Sequence, residues 1–170
     1  MRTGITPAEA LQIVLEHAPL LGAETIAVAD ARGRVLAAGV RSNRRLPPSD
    51  NSAMDGFAVR SEDLVSASAD HPVALEVIYE IPAGGSSEQA LRAGEAARVL
   101  TGAPIPPGSD AVVRQEDTTR DGNRVTVRVS PEPRTHIRDA GEDVGLGDQV
   151  LDPGAVVGPA EIGMLASLGR

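Results

Sequence analysis

Apolar residues recur at helical spacing near the two ends of the chain and at strand spacing through its middle. Thr6-Pro7-Ala8-Glu9 has the makings of a helix start: a capping hydroxyl, a proline at the first helical position, and a glutamate that closes the box. Leu11, Val14, Leu15 and Ala18 follow on one face, and the run ends near Pro19 and Gly22. Thr25-Ile26-Ala27-Val28 reads as a short extended piece. Asp30 reads as the cap of a second helix carrying Val35, Leu36 and Val40, with Gly33 counting against it.

From Pro47 onward, short β-prone runs alternate with turn residues, at 57–60, 73–81, 96–100, 111–114 and 124–129. Asp121-Gly122-Asn123 fits a hairpin turn between the last two. Val125, Val127 and Val129 alternate with Thr126 and Arg128, the pattern of a strand with one wet face. Pro131 and Pro133 close this region, and Gly141, Gly145, Gly147 and Gly154 punctuate a loop-rich tail. Pro159-Ala160-Glu161 opens a last helix, with Ile162, Leu165 and Ala166 on one side and Gly169 as terminator. This order predicts an α+β protein. A helical domain made of 1–46 and 137–170 carries an inserted small all-β barrel or sandwich domain, 47–136.

Composition narrows the chemistry. The 170 residues suffice for one ordinary domain or two small ones. With one Phe, one Tyr and no Trp, the core must be aliphatic. Every basic residue is Arg, which removes lysine Schiff-base chemistry and a lysine phosphate clamp. A net charge of -8 argues against general nucleic-acid affinity. The absence of Cys excludes disulfides, thiolate catalysis and cysteine metal sites, and it fits a cytoplasmic protein. Residues 1–21 lack the basic leader and long apolar core of a signal peptide, and no run of apolar residues is long enough to span a membrane.

Three polar constellations stand out. Asn51-Ser52-Ala53-Met54-Asp55-Gly56 concentrates hydrogen-bonding side chains before a glycine. Asp55 is suited to hold a metal ion, orient a bound amine or hydroxyl, or accept a proton. On local chemistry alone, an Asx turn feeding the next strand is the simpler reading. In Thr101-Gly102-Ala103-Pro104, the threonine and the neighbouring amides are potential anion donors on a proline-stiffened loop. The alternative is a rigid hairpin loop. The lysine-bearing end of a nucleotide P-loop is missing. In His136-Ile137-Arg138-Asp139-Ala140-Gly141-Glu142-Asp143, Glu142 and Asp143 are paired carboxylates suited to magnesium through water, and Arg138 suits a phosphate or a carboxylate. Structural salt bridging fits this last segment as well. His17, His71 and His136 show no ligand spacing and read as surface or capping residues. Ser52 lacks a nucleophile elbow and a paired His.

In this order and register, these motifs resemble the N-terminal half of the molybdopterin molybdenumtransferase family, the MoeA-like proteins related to the E domain of gephyrin. The resemblance rests on 30–36, Pro48 to Arg60, Arg98 to Pro104, Gly108 to Val113, Ile137 to Val144 and Glu161 to Gly169, nearly the whole chain. It implies insertion of molybdate into the dithiolene of adenylylated molybdopterin, with Mg2+, releasing AMP and molybdenum cofactor. It also implies an elongated homodimer in which the helical domain links subunits, and a molybdopterin adenylyltransferase as upstream partner. The cleft would join the β domain of one subunit to a later α/β domain of the other. By resemblance, Asp55, Thr101 and Asp143 are the catalytic candidates, with Asp55 and Asp143 toward metal. Asn51, Ser52, Gly102 and Glu142 lie on the cofactor side.

Two departures qualify this. Asp139 stands where a basic residue is common, which weakens phosphate binding by that loop alone. The chain also stops at Arg170, where the family's pterin-binding domain begins. The expectation is therefore the first two domains of a longer protein, able to fold but inactive alone. A noncatalytic dimerisation or partner-binding scaffold is the competing reading.

Overall fold

The computed structural model describes residues 4–19, 21–86 and 89–170. Residues 1–3 and Leu20, part of the stretch read for a leader, lie outside the described residues. The architecture is mixed α+β, with a small curled sheet forming a half-barrel among helical and short strand elements. Two compact units emerge: residues 1–39 with 151–170, and residues 40–150.

In the smaller unit, helix α1 (Pro7–His17) starts as its sequence dictates. The Thr6 N–H donates to the Glu9 carboxylate at 2.8 Å and the Thr6 hydroxyl oxygen accepts from the Glu9 N–H, so the capping box is closed. Its apolar stripe forms but is not buried within this chain: Leu11, Val14 and Leu15 are all exposed. The helix expected from Asp30 is absent. A 3-10 turn, Val28–Asp30, occupies the start of that segment and the end of the expected extended piece at 25–28. Gly33 adopts φ +78, and its N–H donates to Val157 O at 2.8 Å, while Leu36 N–H donates to Ala155 O at 2.9 Å. These residues thus satisfy their backbone across the chain rather than along a helix. Helix α2 (Pro159–Ser167) opens with the Glu161 carboxylate accepting from Gly158 N–H, and it buries Leu165.

The larger unit contains β1 (Val40–Arg41), β2 (Asn51–Ser52), β3 (Gly56–Val59), β4 (Val73–Ile81), β5 (Glu95–Val99) and β6 (Ala111–Arg114). It continues with β7 (Thr118–Asp121), β8 (Arg124–Val127), β9 (Ile137–Arg138) and β10 (Gln149–Leu151). The main sheet runs β6-β3-β5-β4-β8-β7, while β1 pairs with β10 and β2 with β9. Strand β4 runs parallel to β5, and the other neighbours in the main sheet are antiparallel. The Gly122-Asn123 turn joins β7 to β8 rather than β6 to β8, because the unexpected strand 118–121 intervenes.

Side-chain alternation explains the core. Phe57 and Val59 of β3 pack with Leu75, Val77, Val113, Val125 and Val127, while Ala58 packs on the opposite face with Val99, Val112 and Ala103. β3 is consequently buried on both faces. Gly56 opens it because nothing larger fits: a Cβ there would lie 2.0 Å from Val113 O. Register then places Gly56 opposite Val99, so the residues just beyond those two positions, Asp55 and Thr101, share one end of the sheet.

Candidate functional site

At that sheet end, Asp55 Oδ1 accepts hydrogen bonds from Thr101 N at 2.7 Å and from Thr101 Oγ1 at 2.9 Å, across 46 residues of sequence. The Thr101 N–H, its hydroxyl and then the nearby Arg98 guanidinium hold the Asp55 carboxyl below its ordinary value, because each favours the charged form. Asp55 Oδ2 makes no hydrogen bond among the described residues. The corner thus presents an ionised, oriented carboxylate with one oxygen committed and one available.

The neighbouring predicted residues support this corner from below. Gly102 adopts φ +82 and donates its N–H to Ser52 O at 2.8 Å, and Ser52 N–H donates to Ala103 O at 2.9 Å. The threonine and glycine amides expected to serve an external anion are therefore engaged within the protein. Ser52 is fully buried and its hydroxyl donates to Met54 O at 2.6 Å, an arrangement that ties the turn and exposes no nucleophile. Asn51 is also buried, and its Oδ1 is a buried acceptor without a hydrogen-bond partner. Such an atom is costly unless a donor reaches it.

Strand pairing brings in the third constellation: Asn51 lies opposite Arg138 and Ser52 opposite Ile137. Arg138 ties down two carboxylates. Its Nε donates to Glu142 and its Nη2 to Asp143 Oδ2 at 2.8 Å, and these bonds raise its pKa further. The other Glu142 oxygen accepts from Asp139 N–H at 2.8 Å. Asp143 N–H donates to Leu46 O at 3.0 Å. Arg138, the residue with two readings, takes the carboxylate one. Among the described residues, no hydrogen bond links Glu142 or Asp143 to Asp55 or Thr101.

The histidines take separate places. His17 is exposed at the end of α1 and His71 is exposed. His136 has φ 55, and its Nδ1 lies 3.0 Å from Val112 O. A groove beside β6, lined in part by Val129, Pro131, Thr135 and His136, contains none of the predicted site residues. No group of three or more His, Asp or Glu among the described residues is placed to hold a metal.

Sequence reasoning missed Asp50 and Arg134. Asp50 Oδ1 accepts from Ala140 N–H at 2.9 Å and Oδ2 from Arg134 Nη1 at 2.8 Å, and Arg134 also pairs with Asp139. The Ala140 N–H and then Arg134 hold the Asp50 carboxyl below its ordinary value. An aspartate next to an Asx-rich turn was the available signal, but its partners lie 84 and 90 residues away.

Comparison with known proteins matches residues 5–169 to the family described as the MoeA N-terminal region (domain I and II). Molybdopterin molybdenumtransferase from Nostoc sp. (strain PCC 7120 / SAG 25.82 / UTEX 2576) is 44% identical over 137 residues, covering 81% of this chain and 31% of that protein. Its counterpart from Staphylococcus aureus (strain MRSA252) is 35% identical over 168 residues, covering 99% of this chain and 40% of the relative. The crystal structure of the molybdopterin biosynthesis moeA protein from Pyrococcus horikoshii OT3 superposes with a TM-score of 0.88 at 37% identity, over 95% of this chain and 43% of that one. The chain spans less than half the length of these relatives.

Proposed function

This chain belongs to the MoeA family, whose N-terminal region it matches, and from that premise we propose that it is the N-terminal part of a molybdenum insertase. The reaction is transfer of molybdate into the dithiolene of adenylylated molybdopterin, releasing AMP and molybdenum cofactor. The observation that carries this reading is the Asp55–Thr101 corner, where two motif loops distant in sequence converge on one oriented carboxylate.

In this reading the free Asp55 Oδ2 faces substrate or metal, and Thr101 fixes its orientation and charge. Asp143 and Glu142 contribute acidic oxygens from the adjoining loop, with Arg138 holding both. The buried Asn51 Oδ1 accepts a donor from bound ligand or water, while Ser52 and Gly102 shape the turn. The donor chemistry fits Mg2+, which favours hard oxygens and is commonly held by one or two carboxylates plus substrate phosphates and water. Asp55 and Asp143 are the residues that would hold it. When bound, the ion would neutralise charge on the phosphate side of the substrate.

The same reading includes a cytoplasmic homodimer, fed by a molybdopterin adenylyltransferase, and a cleft completed by segments outside this chain. The isolated chain is accordingly inactive in insertion. None of its described helices is long and apolar enough to cross a membrane. One observation favours the second reading, a noncatalytic association scaffold: helix α1 exposes Leu11 at 60%, Val14 at 63% and Leu15 at 63%.

An insertion assay separates the two readings. The full-length protein should form cofactor from adenylylated molybdopterin, molybdate and Mg2+, and Asp55→Ala should abolish turnover while circular dichroism and melting show a folded protein. Unchanged turnover in a folded Asp55→Ala variant removes Asp55 from the reaction. Inactivity of the wild-type full-length protein removes the insertase reading.

A further inference from the structure

Asp50 occupies an unusual position among the three loops. Its main-chain oxygen accepts from Ile105 N–H at 3.0 Å, inside the loop that begins at Thr101. Its Oδ1 accepts from Ala140 N–H at 2.9 Å, two residues before Glu142. Its Oδ2 accepts from Arg134 Nη1 at 2.8 Å, and its own backbone leads directly into Asn51. One residue therefore bonds to both of the loops that flank the Asn51–Gly56 turn.

Arg134 strengthens this role. It adopts φ 70, a region that non-glycine residues enter only when the surroundings hold them there. Its N–H donates to Asp110 O at 2.7 Å, anchoring it beside β6, and its guanidinium bridges Asp50 and Asp139. Each Asp50 carboxylate oxygen accepts one charge-assisted bond, Oδ1 from the Ala140 amide and Oδ2 from Arg134, so the contact is directional as well as ionic.

We propose that Asp50 is the positioning residue that fixes the outer part of the acidic loop, Ala140 to Asp143, relative to the Asp55–Thr101 corner, beyond the point where β2 and β9 pair. The corner needs no help from Asp50 to form, because sheet register and the two Thr101 bonds build it. The start of the acidic loop is paired to the turn by β2 and β9, and beyond Arg138 its main-chain bonds to other segments' main chain go to Leu46 and Pro47 rather than to the corner. Its Glu142 and Asp143 are tied to Arg138 within the loop itself, and Asp50 carries the loop's side-chain link to the turn that holds Asp55. The structural claim stands on this chain alone; its functional consequence rests on the insertase reading.

Amide hydrogen exchange, read by NMR on this chain, tests the structural claim with Asp50→Ala and Asp50→Asn. Loss of a hydrogen bond to a charged acceptor should make Ala140 exchange about tenfold faster or more in Asp50→Ala. Thr101, whose amide is held by Asp55, should keep its wild-type rate. Asp50→Asn retains an acceptor for Ala140 and should restore most of that protection. An unchanged Ala140 rate, or an equal acceleration at Ala140, Thr101 and the β3 amides, overturns the proposal.

The insertion assay on the full-length protein supplies the second arm. Asp50→Ala should lower kcat with little change in KM, and Asp50→Asn should recover part of the loss. An active wild type whose Asp50→Ala variant keeps full kcat despite a loosened Ala140 overturns the positioning role. An inactive wild type sinks the insertase reading and leaves the exchange result to decide the structural claim.

Discussion

The two acidic corners of the larger unit are held on different terms. Asp55 is fixed by two donors from an uncharged residue, both on one oxygen, at the ends of paired strands. Glu142 and Asp143 share a single guanidinium, and all three side chains are well exposed, at 36%, 58% and 40%. Directional bonds at a sheet end survive salt and restrict orientation, whereas exposed ion pairs are screened and contribute little to stability. The first corner is preorganised by the main sheet; the second hangs from the short β2–β9 pairing, and its carboxylates are placed by local charge and by the Asp50 link.

Breaking the sheet behind the first corner should have the largest effect. In Gly56→Ala the added methyl meets Val113 O, Val113 C and Arg114 Cα, all backbone, so β6 must move. A loss of about 3 kcal/mol in urea unfolding is expected, from overpacking at a site with no flexible neighbour. A loss below about 1 kcal/mol would show that the strand pair yields easily and that the corner is not fixed by the sheet.

The corresponding glycine of the second corner should matter less. Gly141 has φ +82, so alanine there is strained, but its Cβ would meet only the flexible stem of Arg45 at 3.3 to 3.5 Å. Gly141→Ala should cost about 1 kcal/mol, the ordinary penalty for a left-handed L residue. A cost equal to that of Gly56→Ala would erase the contrast between the corners.

The smallest effect is electrostatic. Thr101→Val removes the hydroxyl donor but keeps the amide, so the Asp55 carboxyl should rise toward its ordinary 3.8 without reaching it, as read by NMR titration. The sign follows from linkage. A folded pKa below the unfolded value means that the stabilisation is complete above the unfolded value and is lost as pH falls through the folded one. Acid unfolding of Thr101→Val should therefore begin at slightly higher pH than in the wild type. An unshifted Asp55 would assign its depression to the Thr101 amide and Arg98 alone.

Part of this contrast is legible in the residues themselves. Thr6, Pro7 and Glu9 announced α1, and Val73 to Ile81 announced β4, because caps and β-rich runs are local signals. Asp55 and Thr101 were named as candidates, and the structure joins them directly. The helix expected after Asp30 failed because Gly33 turns left-handed and its neighbours bond to 154–157, which helix propensity does not register. Strand 118–121 escaped notice because Thr119, Arg120 and Asp121 are exposed on a sheet edge and offer no apolar alternation. Asp50 carries no local signal of its role, since its contacts depend on how the chain returns near Arg134 and Ala140. Pairing over such separations is set by topology rather than by neighbours in sequence.

The division of the smaller unit between residues 1–39 and 151–170 has a consequence for biogenesis. During translation, every residue of the larger unit is available before the smaller one has its second piece. Domains fold as units during synthesis. The half-barrel can therefore close before residues 151–170 of the smaller unit are made. A nascent chain halted near residue 150 would carry a finished sheet behind an unfinished N-terminal segment, and the exposed stripe of α1 is what a chaperone would meet first.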